Sequence, residues 1–246
     1  MKNKTILITG GTTGIGLATA QLLQADGARV IVTGRNPETL ASAKAALGTD
    51  AVVLKSDSAS LADSQALGSE VRKHAGRIDG AFLNAGVGTF APFSDQTPAE
   101  FESMFGINVR GLFFQLQSLL ALLADPSSVV LNASVVAQLG FPGASIYSAT
   151  KAAVVSLGKT LAVELAPRGI RVNTLSPGPI ATPIYGKLGM TAEAQKGFED
   201  TMAAQSLLKR VGRPDEVARA ARFLLSEDSS YVIGTELLVD GGVRLT

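Results

Sequence analysis

Residues 5–18 read Thr5-Ile6-Leu7-Ile8-Thr9-Gly10-Gly11-Thr12-Thr13-Gly14-Ile15-Gly16-Leu17-Ala18: a short aliphatic and β-branched run, a glycine-rich turn, then a segment that begins helical spacing at once. Glycines at 10, 14 and 16 permit a tight turn, close backbone approach by a pyrophosphate, and close packing of helix on strand. The helix N-terminus that follows points unpaired N–H groups towards such an anion. The spacing is G-x-x-x-G-x-G and lacks the Gly-Lys-Ser/Thr ending of a nucleotide-hydrolysing P-loop. Taken alone, it also fits an ordinary glycine-rich strand-to-helix turn.

The same alternation repeats outward from this unit. Strands are predicted at 4–9, 29–33, 51–55, 78–83, 128–132, 171–176 and 236–239, and helices near 14–26, 37–47, 60–75, 98–124, 145–166 and 215–225. Runs such as Ala81-Phe82-Leu83 and Ser128-Val129-Val130-Leu131 show no polar alternation, so the strands are expected to be buried on both faces. The predicted fold is α/β: a single-domain, doubly wound parallel seven-stranded sheet with helices on both faces. No linker, internal repeat or low-complexity tract divides residues 1–246. Pro177, Pro179, Pro183, Gly186 and Gly189 punctuate one long irregular region, and a lid is expected at about 183–212.

Composition narrows the chemistry. The 246 residues are 46% hydrophobic and 17% charged, which is too apolar for disorder, and no stretch has the length of a membrane span. With 22 basic against 21 acidic residues and no basic run, nucleic acid is not an expected partner. The absence of cysteine excludes disulfides and thiolate nucleophiles, and a single histidine, His74, argues against His-rich metal centres and Ser-His-Asp triads. No metal is expected. His74 itself is read as a surface residue at a helix C-terminus. No signal-peptide core or lipidation motif is seen near Met1, so the expected location is cytoplasmic.

At the tip of the second strand stand Gly34 and Arg35, where an acidic residue would accept hydrogen bonds from an adenosine ribose. A small residue makes room there, and a guanidinium clamps a phosphate in bidentate fashion. The pair favours NADP(H), with NAD(H) as the alternative; a solvated arginine in a turn would leave the choice open.

Tyr147 and Lys151 lie four residues apart in Ser145-Ile146-Tyr147-Ser148-Ala149-Thr150-Lys151, so a helix presents both on one face. A nearby ammonium favours phenolate over phenol, and bringing the tyrosine to work near neutral pH takes roughly 4 kcal/mol of differential stabilisation. Ser134 follows the strand at 128–132, at the C-terminal edge where open α/β sheets bind ligands. Its hydroxyl can hydrogen-bond a substrate carbonyl that Tyr147 protonates.

Together and in this order, these motifs resemble the short-chain dehydrogenase/reductase family over essentially the whole chain. Thr9–Gly16 matches the family's T-G-x-x-x-G-x-G, Asn84-Ala85-Gly86 its N-A-G, and Asn108-Val109-Arg110-Gly111 its N-x-x-G. Tyr147–Lys151 matches Y-x-x-x-K, Pro177-Gly178 the P-G, and Asp240-Gly241-Gly242 the closing D-G-G. The resemblance implies a dinucleotide-dependent oxidoreductase with Asn108, Ser134, Tyr147 and Lys151 as catalytic residues. Tyr147 would be the acid/base, Lys151 would lower its pKa and hold the nicotinamide ribose, and Ser134 would orient the substrate oxygen. Asn108 would fix a relay water through its backbone.

The implied cofactor shell takes Gly10, Thr12, Thr13, Gly14, Ile15 and Gly16 from the first loop, Gly34 and Arg35 from the second strand, and Asp57 beside the adenine. Asn84, Ala85 and Gly86 would pass the adenosine ribose and diphosphate. Tyr147, Lys151, Pro177, Gly178, Ile180 and Thr182 would flank the nicotinamide.

Ser134, Val136, Tyr147 and Tyr185 are the expected substrate contacts. Ile184, Leu188, Met190, Leu139 and Phe141 add apolar character, so a small hydrophobic ketone, aldehyde or secondary alcohol is the expected substrate. A 3-oxoacyl-(acyl-carrier-protein) reductase is the same-class alternative, and a non-catalytic dinucleotide-binding regulator is the alternative of another class. The family also implies a homotetramer or dimer joined through the helices at 98–124 and 145–166.

Overall fold

A computed structural model of the chain describes residues 1–182 and 192–246. Seven strands form one all-parallel sheet: β1 (Thr5–Thr9), β2 (Arg29–Gly34), β3 (Val52–Lys55), β4 (Ile78–Leu83), β5 (Leu123–Asn132), β6 (Ile170–Pro177) and β7 (Glu236–Val239). Their order is β3-β2-β1-β4-β5-β6-β7. The winding reverses between β1 and β4, whose ends pair at Thr9 and Leu83. Such a reversal opens a crevice outside the carboxyl ends of the strands.

Alternate strand residues fill two cores. Ile6, Ile8, Val30, Val32, Phe82, Val130 and Leu175 face one layer. That layer is built by α1 (Gly14–Ala25), α2 (Pro37–Leu47) and α8 (Pro214–Leu225). Leu7, Ile31, Ala81, Leu83, Val129 and Leu131 face the other layer, built by α3 (Leu61–Arg72), α5 (Leu112–Leu119) and α6 (Ser145–Leu165). Each fully buried Leu, Ile or Phe stabilises the fold by roughly 1.5–3 kcal/mol, so a sheet covered on both faces follows from strands that are apolar in both registers. The α3 and α5 helices approach closely because residue 68 is glycine: a Cβ there would lie 2.0 Å from the Ser118 carbonyl oxygen.

One element differs from expectation. The predicted helix 98–124 is three pieces: α4 (Pro98–Phe105), a π-helical stretch over Gly106–Gly111, and α5. The widened turn carries Asn108, whose side chain is committed to tertiary partners described below, and such turns recur at functional sites. The chain past α5 then enters β5 at Leu123, five residues earlier than expected. Leu123 pairs with Ile78, and the ladder shifts register before resuming at Ser128 opposite Gly80. Pro126 in this interval has no N–H to donate, and for that reason it carried no strand signal.

The excursion after β6 leaves and returns at one point. Ile180 bridges Gly212, with Ala181 N–H donating to Gly212 O and Gly212 N–H to Pro179 O, both at 2.9 Å. Arg210 grips Glu216 with both terminal nitrogens at 2.7 and 2.8 Å. With the Arg213 N–H, it holds that carboxyl down at about 2. Within the expected lid, Tyr185, Ile184, Leu188 and Met190 lie outside the described residues, and α7 (Ala192–Gln205) follows them. His74 is exposed just past α3.

Candidate active site

The crevice at the β1/β4 reversal is lined from the first glycine loop. Gly10 (φ +61°) and Gly14 (φ +54°) occupy the left-handed region that glycine favours. A Cβ at Gly16 would lie 2.3 Å from the Gly10 carbonyl oxygen. Thr13 begins α1 with no side-chain cap, and the first turn, with Ile15, holds no acidic residue. The uncapped N–H groups and the positive end of the helix fit a diphosphate.

Asn84 welds this loop to β4. Its amide donates to Thr9 O and Gly10 O at 3.1 Å, and Asn132 Nδ2 donates to its Oδ1 at 3.0 Å. Thr9 Oγ1 accepts from Asn84 N and Ala85 N. The Asn84 side chain is thus consumed within the protein, and any contact with a dinucleotide falls to the backbone of residues 84–86.

At the far end of the crevice the geometry corrects one expectation. The space left by the missing Gly34 side chain is taken by Thr12, since a Cβ there would lie 2.7 Å from Thr12 Oγ1 and Cγ2. The glycine makes room for the first loop. Thr12 in turn shares a hydrogen bond with Thr39 Oγ1 at 3.2 Å. Arg35 is 59% exposed, with its Nη1 3.7 Å from Asp57 Oδ2. Asp57 also accepts from Ala59 N–H, which folds its loop back beside Arg35.

Ser134 sits just past β5, is buried, accepts from Val136 N–H at 3.4 Å, and lies beside Tyr147 of the first turn of α6. Lys151, one turn further and 3% exposed, donates to the Asn132 main-chain carbonyl at 2.8 Å and stands 5.8 Å from the Tyr147 ring centroid. Burial drives the phenol above its ordinary range, with the nearby Ser134 hydroxyl opposing it, and pulls the Lys151 amine down to about 8. The expected depression of Tyr147 by Lys151 is absent from this geometry, because desolvation disfavours both charged forms and the amine is turned onto a carbonyl.

Asn108 is buried and braces the same corner. Its amide donates to Val87 O at 2.8 Å and Thr150 Oγ1 at 3.0 Å, and its Oδ1 accepts from Val87 N–H at 2.9 Å. Thr150 Oγ1 donates to the Tyr147 carbonyl. The side chain therefore positions a loop against α6.

That loop passes tightly over the helix. A Cβ at Gly86 would lie 3.2 Å from Lys151 Nζ, and one at Gly88 3.3 Å from the Tyr147 ring. Sequence reasoning missed Gly88, Thr150 and the Asn132 carbonyl; only the glycine at 88 left a trace in composition. Val136, half-buried, lies on a 3-10 turn after Ser134. Pro177 ends β6 and Gly178 just past it is packed on Asp240; Ile180 is buried beyond them and Thr182 half-buried. Tyr185 lies outside the described residues. Among the described residues no His, Cys, Asp and Glu side chains group as a metal site, and no helix is long and apolar enough to cross a membrane.

A reversed parallel sheet, a glycine cradle at its reversal and a Ser–Tyr–Lys corner beside it define a dinucleotide-dependent oxidoreductase architecture, and the chain belongs to the short-chain dehydrogenase/reductase family. A family model described as enoyl-(acyl carrier protein) reductase matches residues 10–244. Levodione reductase of Leifsonia aquatica is 37% identical over 250 residues, covering 98% of this chain and 94% of its own. Cyclopentanol dehydrogenase of Comamonas testosteroni is 34% identical over 247 residues, covering 98% and 97%. A crystal structure of levodione reductase superimposes with a TM-score of 0.89 at 35% identity, covering 100% of this chain and 99% of that one. Members of the family use nicotinamide dinucleotides.

Proposed function

We propose that the protein transfers hydride between NADP(H) and the carbonyl or secondary alcohol of a small hydrophobic substrate. The observation that carries this reading is the placement of Ser134 beside Tyr147 at the sheet's carboxyl edge, with Lys151 buried one helical turn behind it. Gly10, Thr12, Thr13, Gly14, Ile15 and Gly16 would hold the diphosphate, and the backbone of Asn84, Ala85 and Gly86 the adjoining ribose. Pro177, Gly178, Ile180 and Thr182 would flank the nicotinamide. When bound, the dinucleotide supplies the hydride or accepts it.

The chain's own residues handle the proton. Ser134 donates a hydrogen bond to the substrate oxygen, and Tyr147 delivers its phenolic proton to that oxygen as the carbon is reduced, or removes it in oxidation. Tyr147 begins in the required form for reduction, because burial keeps its phenol protonated. Lys151 holds the ribose side of the corner and returns a proton to Tyr147, a transfer suited to an amine brought down to about 8. Asn108 holds the Val87 loop against Thr150 and so keeps Tyr147 in place. A water relay through the Asn108 backbone completes this reading.

Arg35 supports the NADP(H) preference: its guanidinium is exposed and its ion pair with Asp57 is long at 3.7 Å, which leaves donors for a 2′-phosphate. The relatives named for levodione and cyclopentanol support a ketone or alcohol substrate. The experiment is a panel of cyclic and aryl ketones, secondary alcohols and 3-oxoacyl thioesters with NADPH and NADH. Turnover of simple ketones with NADPH is expected. A dominant preference for acyl thioesters would replace the reading with an acyl-carrier-protein reductase, and cofactor binding without turnover of any substrate would leave a regulator. Association as a homotetramer through α4–α5 and α6 is part of the same proposal and is read by light scattering.

A further inference from the structure

One side chain fastens the segment leaving β4 to the start of α6 at three points. Gln96 donates through Nε2 to Ala91 O at 3.0 Å and to Gly143 O at 3.1 Å, and its Oε1 accepts from Ser145 Oγ at 2.9 Å. Ala91 N–H also donates to Gly143 O at 3.0 Å. Both amide hydrogens and the carbonyl of one half-buried glutamine are therefore used to join two loops that lie 47 and 49 residues apart in sequence. Gly143 meets this clasp at φ +79°, in the left-handed region that favours glycine. Ser145 is the first residue of α6, two before Tyr147.

Phe90 precedes Ala91, and its ring is edge-on to Tyr147 at 5.7 Å and to Phe141 at 6.1 Å. Phe90 is 39% exposed, so this apolar wall beside the phenol is only partly covered by protein.

We infer that Gln96 is a positioning residue that sets the Phe90–Phe141 wall against Tyr147, and that this wall selects ring-bearing ketones over small aliphatic ones. The inference rests on the carbonyl-reductase reading above and names the substrate class of that site. An edge-to-face arrangement leaves ring faces for a planar substrate, and the wall's height above Tyr147 depends on the clasp, because Ala91 and Gly143 are its two ends.

The test compares kcat/KM for acetophenone with that for acetone, using NADPH. Phe90→Ala should lower the acetophenone/acetone ratio by roughly tenfold, as expected for removing one ring's apolar contact, and leave the KM for NADPH unchanged. Gln96→Ala should lower the ratio in the same sense. Gln96→Glu gives a readout that general loosening of the fold does not move. Its carboxylate faces two carbonyl oxygens, so the ratio should be low at neutral pH. It should recover below about pH 5, where the carboxyl regains a donor, while the wild-type ratio stays flat.

If Gln96→Ala fails to fold, Phe90→Ala and the pH dependence of Gln96→Glu still decide the matter. A ratio unchanged in Phe90→Ala, or a Gln96→Glu ratio that does not respond to pH, overturns the inference while the carbonyl-reductase reading stands. A wild-type enzyme that reduces neither ketone overturns both.

Discussion

Lys151 Nζ donates to the main-chain carbonyl of Asn132 at 2.8 Å, which joins the second turn of α6 to the end of the strand that delivers Ser134. The amine is almost fully buried, and burial lowers it from 10.5 to about 8. This bond orients Lys151 but leaves its charge poorly solvated, and the consequence is measurable in the folded state.

Stability should rise with pH through the window set by Lys151. Below about pH 8 both folded and unfolded chains carry the proton, and folding bears the full penalty of burying a cation. Between 8 and 10.5 the unfolded chain binds more protons, so that penalty is relieved, by about 3 kcal/mol over the whole interval. Tyr147, raised above 10.0, opposes the trend only at the alkaline end. Urea midpoints measured from about pH 8 to 10 should climb in the wild type and stay flat in Lys151→Met. Parallel curves for the two proteins would refute the assignment.

Tyr147→Phe should retain the fold and dinucleotide affinity while kcat falls by about 10²–10⁴-fold, the range for losing a general acid. Ser134→Ala should lower kcat as well and also raise the Tyr147 pKa further, because the Ser134 hydroxyl is the one influence holding the phenol down. Single-turnover rates, together with ultraviolet titration of the phenolate, separate the two effects.

Arg35→Ala should raise the KM for NADPH by about 10–100-fold, as for losing a charge-assisted hydrogen bond, and leave that for NADH within a factor of about three. Equal effects on both cofactors would remove the 2′-phosphate role. Asp57→Asn frees the guanidinium from its 3.7 Å partner and should shift the preference further towards NADPH.

Gly68→Ala and Gly16→Ala should separate stability from binding. At Gly68 the added methyl meets Ser118 O at 2.0 Å between α3 and α5, far from the crevice. Overpacking of this kind destabilises by about 1–3 kcal/mol, lowering Tm with kcat intact where the enzyme remains folded. At Gly16 the methyl meets Gly10 O at 2.3 Å inside the cradle, so loss of dinucleotide binding by titration calorimetry should exceed any loss of stability.

Much of the fold was legible because it is locally encoded. Strand and helix periods, the glycine turn after β1 and the Tyr147–Lys151 spacing are all properties of a few consecutive residues. The misreading at 98–124 has the same origin in reverse. A run of apolar residues looks helical throughout, yet Asn108 spends its side chain on Val87 and Thr150, and Leu123 finds Ile78 across the sheet.

By itself the sequence determined the parallel α/β architecture, the place of the crevice and the Ser134, Tyr147 and Lys151 constellation, since periodicity and motif spacing are written in neighbouring positions. Tertiary structure alone decided that Thr12 fills the space over Gly34, that Asn84 is consumed by Thr9, Gly10 and Asn132, and that Gln96 ties residues 91, 143 and 145 together. It also decided the direction in which Tyr147 and Lys151 titrate. Hydrogen-bond partners and burial are set by which distant segments the packed sheet and helices bring within about 3 Å, a distance at which sequence separation has no influence.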